Sequence, residues 1–99
     1  MIRHIVMFKL NNGEGGANEQ VKQEIRKRLE SLPGKIGVIR SMEVGINLSR
    51  SDRAYDLALV STFDSLKDLE AYRVHPAHRE AVDFIARYRE KSAVVDCHI

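Results

Sequence analysis

The strands of this chain carry apolar side chains on both faces, and that constrains its fold more than any other feature. Residues 2–10 alternate, with Ile2, His4, Val6, Phe8 and Leu10 on one side and Arg3, Ile5, Met7 and Lys9 on the other. Residues 55–63 set Tyr55, Leu57, Leu59 and Phe63 against Asp56, Ala58, Val60 and Thr62. A third strand is predicted over 39–48, where Met42, Val44, Ile46 and Leu48 alternate with Glu43, Gly45 and Asn47. The last, over 92–99, sets Ala93, Val95, Cys97 and Ile99 against Val94, Asp96 and His98. Helices can shield one face of such a sheet, and the second face then needs a cover of its own.

Two helical patterns separate these strands. Over 18–32, Val21, Ile25, Leu29 and Leu32 recur along one stripe, and Pro33 with Gly34 ends it. Ser65 with Asp68 forms a variant capping box ahead of Leu66, Leu69 and Tyr72. His75-Pro76 breaks that helix, and a second segment carries Val82, Ile85 and Tyr88 to about residue 89. Asn11, Asn12, Gly13, Gly15 and Gly16 read as a connector, without the Lys-Ser/Thr ending of a phosphate-binding loop.

The resulting order, βαββαβ, predicts an α+β, ferredoxin-like domain: a four-stranded antiparallel sheet with helices on one face. With 99 residues there is room for one core, so a single domain over 2–99 is expected. The uncovered face would hold Ile5, Met7, Ala58, Val60 and Val94. The economical cover is a second copy, giving a homodimer through the sheet face about a two-fold axis.

Charge and composition narrow the function. Sixteen basic residues are interleaved with fourteen acidic ones, so no stripe for nucleic acid forms. No apolar run is long enough for a membrane span, and the N-terminus opens directly into a strand. Cys97 is the single cysteine, which excludes an internal disulfide and fits a cytoplasmic protein. Neither a cofactor nor a metal is expected: His75 and His78 are interrupted by Pro76, and a closed zinc site takes about four ligands.

Several segments together resemble one family, the stress-responsive A/B barrel (Dabb) domains, over nearly the whole chain. They are Ile2-Arg3-His4-Ile5-Val6-Met7-Phe8-Lys9-Leu10, Leu32-Pro33-Gly34-Lys35, Glu43-Val44-Gly45-Ile46-Asn47, Ser51-Asp52-Arg53-Ala54-Tyr55-Asp56-Leu57, Phe63-Asp64-Ser65-Leu66, Leu69-Glu70-Ala71-Tyr72, His75-Pro76-Ala77-His78 and Ala93-Val94-Val95-Asp96. The resemblance implies a ferredoxin-like protomer in a dimeric α/β barrel, and it does not imply one function. Members of this kind include bacterial proteins of unknown role, stress-associated plant proteins, and a plant cyclase that closes a polyketide by aldol condensation.

The cyclase's catalytic Tyr and His correspond by motif to Tyr72 and His78, and its cavity-lining strand histidine to His4. His75 is a further ligand-binding candidate. A neutral imidazole at His78 can take a proton α to a carbonyl while the Tyr72 hydroxyl holds the developing enolate. The structural alternative has the Tyr72 ring filling the core, His4 as a hydrogen-bonded core histidine, and His75 and His78 satisfying backbone groups at a helix start. The first helix offers aliphatic Val21, Ile25 and Leu29 where the cyclase has aromatic residues, so a long polyketide does not suit it.

Three functions are compatible with these residues: a dimer whose product is its own assembly, a cofactor-free lyase, cyclase or monooxygenase-like enzyme on a small carbonyl or aromatic compound, and a binder of a small apolar ligand. Assembly alone expects the space between sheet and helices to be filled. The other two expect an opening of a few hundred Å³ there.

Overall fold

The alternating N-terminal segment becomes one of the two inner strands of the sheet in the computed structural model, which describes residues 1–11 and 16–99. This strand, β1 (Ile2–Leu10), is followed by α1 (Glu19–Glu30), a 3₁₀ turn (Leu32–Gly34), β2 (Ser41–Ile46), β3 (Leu57–Phe63), α2 (Leu66–Arg73), α3 (Pro76–Ala86) and β4 (Arg89–His98). The strands lie in the order β2-β3-β1-β4, all neighbours antiparallel, with the helices on one side. The fold is ferredoxin-like. Most of the connector expected at 11–16 lies outside the described residues.

The helix-side face of the sheet forms the core. Ile2, Phe8 and Leu10 of β1 pack with Val44, Leu57, Leu59 and Phe63 beneath Ile25, Leu29, Leu69, Tyr72 and Ile85. Each helix starts on a side-chain cap. Asn18 accepts from the Val21 N–H, Ser65 from the Asp68 N–H and His75 from the Ala77 N–H. Pro76 stands at the start of α3, where its missing N–H costs nothing.

Several boundaries differ from expectation, each for a local reason. The first helix stops at Glu30, not Leu32, because Pro33 has no N–H to give the Leu29 carbonyl. Leu32 is nonetheless buried, from within the 3₁₀ turn. β2 ends at Ile46 because Asn47 turns the chain: its side chain accepts from the Ser49 N–H at 3.3 Å and donates to the Ser49 carbonyl at 2.5 Å. Leu48, expected in the strand, is 99% exposed. β3 begins two residues late, since the Asp56 carboxylate accepts from the Leu10 N–H at 2.7 Å. Leu66, expected on the inner stripe of its helix, is exposed, and the buried stripe starts at Leu69.

Val94 requires a correction of face. The ladder pairs Val94 with Val6 and Asp96 with His4, which puts both on the helix side. Val95, opposite Ile5, takes the place on the open face where Val94 was expected. Both valines are more than half exposed, at 57% and 58%, because β4 is an edge strand that the helices barely cover. Burial pattern therefore gives no clue to the inward face of β4. The partner across the ladder decides it.

Candidate active site

Four aromatic rings line up from the sheet to the start of α3. The His4 and Phe63 rings are 6.4 Å apart, His4 and Tyr72 6.0 Å, Phe63 and Tyr72 5.2 Å, and Tyr72 and His78 4.3 Å between centroids. β1 supplies His4, the last turn of α2 supplies Tyr72, and the Pro76 break swings α3 so that His78 returns over Tyr72. Beside them lies a cavity of about 460 Å³. His4, Tyr72, Arg73 and His78 form one part of its lining, and Val6, Phe8, Leu29, Leu59, Val82 and Val94 its apolar walls.

Tyr72 is only 1% exposed, and burial pushes its phenol up to about 12, so it stays protonated at neutral pH. No buried polar side-chain atom among the described residues lacks a partner, yet the Tyr72 hydroxyl makes no hydrogen bond within them. The hydroxyl is therefore the open tip of an otherwise enclosed ring, free to donate to a bound molecule.

His78 presents the complementary chemistry. Its Nδ1 is 3.0 Å from the Arg73 carbonyl oxygen. A carbonyl only accepts, so Nδ1 carries the proton and Nε2 keeps its lone pair. Burial lowers the imidazole's affinity for a second proton, an effect opposed by the Arg73 carbonyl and reinforced by His4, Arg73 and His75 nearby. His78 is thus a neutral base with one nitrogen committed and the other available.

His4 is buried, and its Nδ1 bonds to a carboxylate oxygen of Asp96, directly across the β1–β4 ladder. The other Asp96 oxygen accepts from Arg73 at 2.7 Å. Buried Ser61 donates to the His4 carbonyl at 3.3 Å. This network fixes the His4 ring at the wall of the cavity, with Nε2 as its remaining nitrogen.

His4, Tyr72 and His78 are thus brought together, while His75 is not. As the cap of α3, His75 accepts from the Ala77 N–H at 3.0 Å and stands outside the cavity lining. Among the described residues no three His, Cys, Asp or Glu side chains gather as a metal site would need. Asp96 and Arg73 join the site although no motif or spacing announces them. An acidic residue inside an apolar strand was the available signal for Asp96, since strands are depleted in Asp.

A larger, more open hollow of about 720 Å³ lies on the opposite face, between the 47–55 loop and Met7, Leu57 and Ala58. None of His4, Tyr72 and His78 reaches it. Size alone would favour it, but it lacks a base beside a hydroxyl.

The family model for the stress responsive A/B barrel domain matches residues 2–99. An uncharacterized Streptomyces coelicolor protein is 39% identical over 82 residues, covering 83% of this chain and 84% of its own. A dimeric Bacteroides fragilis protein of ferredoxin-like fold and unknown function superposes with a TM-score of 0.84 at 35% identity, over 99% of this chain and 95% of its own. A Passiflora edulis hydroxynitrile lyase superposes with a TM-score of 0.84 at 22% identity, over 99% of this chain and 92% of its own, which is a likeness of fold. No helix among the described residues is long and apolar enough to cross a membrane.

Proposed function

This chain belongs to the stress-responsive A/B barrel domain family, and from that premise we propose that it works as a sheet-to-sheet homodimer whose protomers each hold a cofactor-free acid–base site for a small carbonyl compound. One observation carries the catalytic part: His78, in the tautomer with a free Nε2, lies against Tyr72 at the wall of the 460 Å³ cavity. His78 Nε2 takes a proton α to the substrate carbonyl. The Tyr72 hydroxyl donates to the carbonyl oxygen as negative charge develops, and His4, held by Asp96, orients the substrate. The space between sheet and helices is open, which weighs against assembly as the sole role.

The dimer rests on the open face of the sheet. Met7, Val60 and Val95 are exposed there beside Ile5 and Ala58. Covering what remains exposed of each large aliphatic side chain is worth roughly 0.5–1.5 kcal/mol, and together they favour a facing sheet. The Bacteroides fragilis relative, 35% identical, is itself dimeric. A stress-associated role rests on the family's description alone.

Proton abstraction can be followed without a known substrate. Simple ketones and aldehydes in heavy water should exchange their α-hydrogens faster with the protein than with its His78→Asn variant, by proton NMR. Equal rates for both proteins across the panel would overturn the catalytic reading.

A further inference from the structure

The cavity extends beyond the histidines, and its far end has chemistry of its own. The irregularity between Lys9 and Leu10 sets Arg89 opposite Leu10, on the helix side of the sheet. There Arg89, half-buried, and Ser92 line the cavity. Leu10 and His4 are six residues apart on β1, roughly 20 Å at about 3.3 Å per residue. The wall between them is apolar, through Val6, Phe8, Val82 and Val94.

Two arginines line this space in different states. Arg73 is paired with Asp96 at 2.7 Å and lies 3.9 Å from Glu70. Among the described residues Arg89 has no acidic partner. A guanidinium keeps its charge at any physiological pH, and at the end of an apolar trough it is a fork for a carboxylate.

We infer that Arg89 anchors the acid group of an elongated, largely apolar carboxylate whose other end lies against Tyr72 and His78. This rests on reading the cavity as a ligand site, and it narrows the substrate class to acids that bear a reactive carbonyl away from the carboxylate. Ser92 adds a hydroxyl beside the acid group, and the Asp96–Arg73 pair leaves the histidine end without a competing free cation.

Decanoate and 1-decanol, titrated calorimetrically into the whole protein at low salt, separate the anchor from the cavity. The acid should bind about tenfold to a hundredfold more tightly than the alcohol. Arg89→Met should bring the acid to the alcohol's affinity and leave the alcohol's unchanged, which also reports an intact fold. Val82→Trp, which fills the trough, should weaken both. Equal affinities in the parent protein, or a preference that survives Arg89→Met, overturn the anchor while alcohol binding keeps the cavity reading. Binding of both ligands unaffected by Val82→Trp puts the site elsewhere and overturns the anchor. Binding of neither ligand overturns the anchor and the cavity reading together.

Discussion

Asp96 faces His4 directly across the β1–β4 ladder and divides its carboxylate between that imidazole and the Arg73 guanidinium. One side chain of an edge strand thereby ties the inner strand β1 to the last residue of α2. Asp96→Asn keeps the shape and removes the charge, leaving a buried histidine with a poorer partner. A loss of about 1–3 kcal/mol in urea unfolding is expected. An unchanged midpoint would show that the network contributes nothing to stability.

His78→Asn tests the base with little disturbance, because an Asn amide can still donate to the Arg73 carbonyl. Turnover of any substrate found should fall by about 10²- to 10⁴-fold with the melting temperature nearly unchanged. Retained turnover would remove His78 from the mechanism.

The same imidazole makes a prediction about pH. Burial holds its pKa below the ordinary 6.5, so folding favours the neutral form. As pH falls below that value, the unfolded chain takes the proton first. The stability owed to this group is complete above the unfolded pKa and is lost as pH drops through the folded one. His78→Asn should flatten the acid limb of stability against pH, measured by chemical denaturation.

Tyr72→Phe removes a hydroxyl that makes no bond within the described chain while keeping a ring that fills the core. Stability at neutral pH should change by less than about 1 kcal/mol, whereas Tyr72→Ala should cost about 3–5 kcal/mol. Turnover should fall in both variants. The buried phenol, pushed up to about 12, also stays protonated after an unfolded tyrosine has ionised near 10. Stability from this group is therefore lost as pH rises between those values, and Tyr72→Phe should remove that alkaline decline.

Val60→Asp places a charge on the open sheet face, opposite Ile5. In the proposed sheet-to-sheet dimer each protomer would bury one such charge without a partner. Sedimentation should show association weakened by at least about 100-fold with the protomer still folded. A variant that sediments as the parent does would exclude this face as the contact.

The element order and the core were legible because their residues speak with one period. Ile25 and Leu29 occur at helical spacing, and Leu57, Leu59 and Phe63 at strand spacing, and each is buried. The caps at Ser65 and His75 were legible for the same reason, being set by short-range stereochemistry. Strand ends were not. The Asn47 turn and the Asp56 carboxylate that meets β1 are decided by side chains binding backbone groups, one of them far along the chain. The inward face of β4 was hidden because an edge strand with Val94 and Val95 side by side reads alike in either phase. His4, Tyr72 and His78 could be grouped once β1 was placed beneath the broken helix. Arg89 could not, because its position depends on an irregularity between Lys9 and Leu10 that no periodicity announces.

β4 serves two purposes on alternate residues. Ser92, Val94 and Asp96 face the helix side, and Ala93, Val95 and Cys97 the bare side of the sheet. Substitutions at Ser92, Val94 and Asp96 thus alter the helix side of the strand and leave the bare face untouched, and those at Ala93, Val95 and Cys97 the reverse. Losing one residue from the middle of this strand would swap the two sets downstream, turning the Asp96 carboxylate to the bare face and setting Cys97 against His4.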